Sequence, residues 1–125
     1  ILLIMILAPI SIGELVDKIT ILEIKQSKTT DIAKLENIER ELKLLADLYN
    51  SLHVDVAELK QELYDINSEL WIIEDSKRQC EKLQLFNSDF IQLARNVYIK
   101  NDRRAEIKRQ INLISKSGIV EEKIY

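Results

Sequence analysis

Two glycines and one proline in 125 residues leave this chain few places to turn tightly, and that scarcity constrains its fold more than any motif. Tight β-turns draw on glycine for positive φ and on proline for a preset φ. A chain without them is directed toward long helices joined by a few short loops. Apolar residues make up 46% and charged residues 31% of the chain, a globular balance that argues against disorder. No repeat, linker or low-complexity stretch interrupts it, so a single helical domain spanning residues 1–125 is expected, with residues 1–10 as an N-terminal arm and 119–125 as a tail.

Apolar spacing places about four helices. Ser11 and Glu14 form an S-x-x-E capping box ahead of a helix running from Ile12 to about Ser27. Its apolar residues (Ile12, Leu15, Val16, Ile19, Leu22, with Ile21 and Ile24) cover more than one face. This helix is therefore either central or buried by a second subunit. The second helix follows a cap at Thr30 or Asp31 and ends near Ser51; Leu35, Ile38, Leu42, Leu45, Tyr49 and Leu52 alternate three and four apart. The stretch SLHVD reads as a turn, with His53 a solvated loop residue and Asp55 capping the next helix. That third helix spans roughly Val56 to Gln84 on a seam of Val56, Leu59, Leu63, Ile66, Leu70 and Ile73. The fourth opens at Ser88 or Asp89 and stops before Gly118, read as a left-handed C-terminal cap. Short loops make sequential helices antiparallel neighbours. The expected fold is all-α: antiparallel helical hairpins with coiled-coil-like packing.

Composition excludes several functions. A net charge of −3 supplies no attraction to nucleic acid or anionic membrane. A single cysteine, Cys80, rules out an internal disulfide and suits a cytoplasmic location. One cysteine and one histidine also argue against a zinc site, and no glycine-rich phosphate loop occurs, so neither metal nor cofactor is expected. The opening ILLIMILAPI is too short to span a membrane and is interrupted by Pro9. It lacks the basic start and small-residue cleavage site of a signal peptide. Met5, the single methionine, is read as the natural start. Ile6-Leu7-Ala8 is then a short apolar arm that must pack on the domain or on a partner, and with the many-faced first helix it points to a homodimer or a protein partner.

The fourth helix carries the best functional clue. Its seam runs Phe90, Leu93, Val97 and then turns polar at Asn101, Arg104 and Lys108. One polar seam residue can fix register; three need partners or a ligand, because unpaired buried charge is costly. Uniform helical rise about a turn near Asn87 sets Asp65 beside Lys108, Glu69 beside Arg104 and Glu74 beside Asn101. The simpler reading is that third-helix acids pair with these cations and fix the hairpin. The functional reading is a site for an anionic small molecule at mid-hairpin. One cluster comprises Trp71, Glu74, Asp75 and Arg78; the other comprises Asn101, Asp102, Arg104, Lys108 and Asn112. Arginine and lysine clamp a carboxylate or phosphate, asparagine orients, carboxylates handle protons, and tryptophan stacks on a ring. No nucleophile–histidine pair accompanies them, so a non-enzymatic interaction or accessory protein is the leading expectation. A small enzyme or binding protein is its rival.

The runs APISIGELVDKITILEIK, LWIIEDSKR, YIKNDRRAEIKRQIN and VEEKIY resemble a family of short bacterial and phage helical proteins catalogued as a domain of unknown function. The resemblance spans nearly the whole chain from Met5 and implies a compact, helical, cytoplasmic protein. It carries no activity and no residue role. A weaker likeness is to the all-helical chorismate mutases, which clamp a dicarboxylate with arginine or lysine between intertwined helices; IIEDS resembles part of their last helix. Their first helix supplies an arginine, where this one has only Lys18 and Lys25.

Overall fold

A computed structural model describes residues 3–125. Within them the chain forms four helices and no strand: α1 (Ile12–Lys28), α2 (Ile32–Ser51), α3 (Ala57–Leu83) and α4 (Ser88–Ile114). The breaker-poor sequence thus becomes an all-α fold. No helix of the described residues is long and apolar enough to cross a membrane.

The caps explain most boundaries. The first backbone N–H groups of a helix have no intrahelical partner, and α1 satisfies three of them in three ways. Ile12 donates to Ser117 Oγ at 3.1 Å, Gly13 to Asn112 Oδ1 at 2.6 Å, and Glu14 to Ser11 Oγ at 3.0 Å. Only half of the expected capping box forms, because the Glu14 carboxylate leaves the cap to bind Lys108. Asp31 caps α2 through the Lys34 N–H. Asn87, rather than Ser88 or Asp89, caps α4 by accepting from the Phe90 N–H. Val56 occupies the start of α3, and Asp55 accepts only a long 3.4 Å bond from the Ala57 N–H. The left-handed residue closing α4 is Lys116 (φ 55°), not Gly118. Ser117 and Lys116 donate back to the Asn112 and Leu113 carbonyls, the paired bonds of a Schellman ending.

Helix α1 is the central element. It packs against α2, α3 and α4, while α3 and α4 pack against each other. Leu15, Val16, Ile19, Leu22 and Ile24 are buried on it, which is why its apolar residues occupy several faces. The main core joins Val16 to Val56, Leu63 and Ile66 before and along α3 and to Ile107 and Ile111 of α4. This core lies at the end of the α3/α4 hairpin away from its turn. From residue 74 to residue 106 no side chain is buried, and Phe90, Leu93 and Val97 are only half-buried in the two-helix seam.

Helix α2 departs from expectation. Its leucine seam contacts α1, but none of its residues is buried, and Tyr49 is its one member packed on the main core. Periodicity identifies a face that needs covering without saying how many neighbours cover it. The N-terminal arm is similarly uncovered: residues 3–10 are exposed and non-helical, with Leu7 at 89%. Ile1 and Leu2, part of that arm, lie outside the described residues.

Candidate functional site

The polar seam of α4 finds its partners on α1. Asp17 is fully buried among α1 residues that otherwise read as core. Arg104 reaches it with two donors, Nε at 2.9 Å and Nη2 to the second carboxylate oxygen, the bidentate geometry that suits guanidinium and carboxylate. Asn67 of α3 donates Nδ2 to Asp17 at 2.9 Å and to Thr20 Oγ1 at 3.0 Å. Thr20 donates to the Asp17 carbonyl at 2.7 Å, and Arg104 Nη1 donates to Asn101 Oδ1 at 3.4 Å. One polar network therefore ties three helices together.

One turn away, Lys108 donates to Glu14 at 2.6 Å and to Glu121 of the tail at 3.3 Å. Glu14 and Asp17 are three apart on α1, and Arg104 and Lys108 are four apart on α4, so the two ladders meet in antiparallel register. The expected α3 partners are displaced. Glu69 pairs with Lys100 at 2.8 Å and Glu62 with Arg103 at 3.3 Å, while Asp65 is exposed and accepts from Gln61. The hairpin is offset from the uniform-rise register, and its acids serve the solvent side of α4.

These partners set the proton affinities. Arg104 is raised above the ordinary arginine value, first by its hydrogen bonds to Asp17. Burial opposes the rise, and the charges of Asp17, Glu14 and Glu121 add to it. For Lys108 burial is the largest influence and acts downward. The hydrogen bond to Glu14 and the charges of Asp17, Glu14 and Glu121 together outweigh it, so the net shift is upward. Both side chains are held as cations.

Gly13 permits this close packing. A Cβ there would strike the Lys108 carbonyl and sit 2.9 Å from Asn112 Oδ1. Asn112 is nearly fully buried, and its Nδ2 has no partner among the described residues.

The nine sequence candidates divide into two groups. Trp71, Glu74, Asp75 and Arg78 of α3 and Asn101 and Arg104 of α4 line one open cleft of about 420 Å³, whose floor includes Ile21 and Ile24 of α1 and Leu70 of α3. The other three lie elsewhere. Asp102 pairs with Lys123 of the tail at 2.7 Å, Lys108 with α1 and the tail, and Asn112 binds the Gly13 N–H. Sequence reading missed Asp17, Glu14, Thr20 and Asn67. The available signal was the i, i+3 pair of acids on α1, which matches the i, i+4 pair of cations on α4.

Fold and site together define a small four-helix protein with a buried ion-pair network beneath an open cleft. The chain belongs to the family of unknown function DUF6165, whose model matches residues 6–125. No curated protein and no solved structure matches the chain.

Proposed function

We propose that this protein is a helical interaction protein that works by self-association rather than by catalysis. The observation that carries this reading is α2: α1 covers its apolar seam only by half, no residue of it is buried, and outside that seam Leu44 and Leu48 stand at 48% and 47% exposure. The surface area points the same way. A compact 14.6 kDa chain exposes about 6,900 Å², whereas this one exposes 9017 Å². The excess, about 2,100 Å², exceeds the ~800 Å² per partner that a standard interface buries. Part of it is the apolar arm, part is α2, and part is the far end of the α3/α4 hairpin, where Leu83, Phe86, Ile91 and Tyr98 are exposed.

An anion-binding enzyme has less support. Arg104 and Lys108, the cations that suggested it, are already neutralised by Asp17 and Glu14. The remaining charges of the cleft lining are mixed in sign.

Sedimentation equilibrium tests the reading. The chain is expected to be dimeric at micromolar concentration, and Leu44→Glu with Leu48→Glu should make it monomeric without loss of helix signal. A wild-type monomer at that concentration refutes it.

A further inference from the structure

We propose that the cleft between α1, α3 and α4 binds a free α-amino acid with a large apolar side chain. Three observations carry the assignment. First, the floor is apolar, with Ile21, Ile24 and Leu70 beside the half-buried ring of Trp71. An apolar side chain gains there by leaving water, and an aromatic one gains further against the indole.

Second, the charges that remain free come as one of each sign. Glu74 is engaged by Lys77 at 3.4 Å, and Arg104 is held by Asp17. Asp75 and Arg78, one turn apart on the same wall, have no ion-pair partner among the described residues. A ligand with a single anionic group meets Glu74 and Asp75 as well as Arg78; one with a single cationic group meets Arg78. A molecule bearing an ammonium and a carboxylate satisfies both free groups.

Third, Asn67 is only 6% exposed and lines the cleft. The Asp17 carboxylate can only accept, so it fixes the amide with Nδ2 toward Asp17 and Thr20. Asn67 Oδ1 receives no hydrogen bond from the described residues and is open to the cleft as a free acceptor. An ammonium N–H is a donor that it can accept from. The volume, about 420 Å³, sits at the small-metabolite end of ligand sites. The Asp17 network holds the walls in place before any ligand arrives, which lowers the ordering cost of binding.

Trp71 is the single tryptophan, so its emission reports on the cleft directly, whatever the oligomeric state. Titration with L-phenylalanine should change that emission saturably. Phenethylamine and 3-phenylpropionate, which each lack one charged end, should bind about tenfold more weakly or worse. Asp75 and Arg78 are exposed, so their variants fold, as circular dichroism will verify. Arg78→Met should erase the preference for L-phenylalanine over phenethylamine, and Asp75→Asn the preference over 3-phenylpropionate. The proposal is overturned if neither L-phenylalanine nor L-leucine gives a saturable response. It is equally overturned if a one-ended analogue matches L-phenylalanine, or if both variants retain wild-type selectivity.

Discussion

Replacing Arg104 by Ala should be among the most damaging single changes available to this chain, although its guanidinium is partly exposed. The reason is Asp17, which has 0% exposure and which Arg104 neutralises through two charge-assisted bonds. Each such bond contributes roughly 1.5–3 kcal/mol. Removing one partner of a buried pair costs about 3–5 kcal/mol, because the other charge stays behind. Asn67 still donates to Asp17 in the variant, and water can enter from the cleft, so the lower half of that range is expected. Unfolding entropy of about 2.1 cal/mol/K per residue gives roughly 0.26 kcal/mol/K for a chain of this length, hence a fall in Tm of about 11–15 °C.

The assay is a double-mutant cycle in urea between Arg104→Ala and Asp17→Ala, run beside a second cycle between Arg104→Ala and Glu69→Ala. Coupling of about 2 kcal/mol or more is expected in the first and none in the second. Glu69 should couple instead to Lys100, by no more than about 1 kcal/mol, because that pair is exposed. The reasoning fails if Arg104→Ala costs under about 1 kcal/mol, or if Arg104 couples to Glu69 rather than Asp17.

Gly13→Ala should destabilise by about 1–3 kcal/mol despite alanine's better helix propensity, since its Cβ meets the Lys108 carbonyl and backbone cannot yield cheaply; Gly118→Ala, with open space around it, serves as the near-neutral control in the same urea titration. Lys116→Gly should stabilise by about 0.5–1 kcal/mol by relieving a left-handed φ of 55° at the end of α4, read as a shift in the urea midpoint. The raised affinity of Lys108 for its proton adds stability that is fully present below the unfolded lysine value, about 10.4, and is lost as pH rises through the higher folded value. The stability gap between wild type and Lys108→Met should therefore persist from neutrality up to the unfolded lysine value and narrow above it; a gap that stays undiminished in strong alkali would contradict this.

The helices were legible because their signals are local. Ser11 and Asp31 cap where their side chains reach the next turn, and three-four spacing marks a face wherever it occurs. What a face packs against is a tertiary property. The seams of α2 and of α3 read alike, yet α3 buries Leu63, Ile66 and Ile73 while α2 buries nothing, because α1 alone lies along α2. Gly13 carries a further signal of its own. A glycine in the first turn of a helix forgoes roughly 1 kcal/mol relative to alanine. Where no turn requires it, it marks a close approach, here of α4.

The polar seam shows why the right residues can be assigned to the wrong partners. Asn101, Arg104 and Lys108 stood out because three polar seam positions need more than register requires, and that inference depends on one helix only. Choosing their partners depended on which helix faces them, and sequence adjacency favoured α3. Had Glu69 taken Arg104, the α3 and α4 walls would be drawn together where the cleft now lies, and the polar residues would close on one another. Because Asp17 and Glu14 hold Arg104 and Lys108 from the α1 side, the acids of α3 are released toward solvent. Trp71, Asp75 and Arg78 are thereby left lining an open wall. The position of one buried carboxylate, on α1 rather than on α3, separates a filled hairpin seam from a cleft.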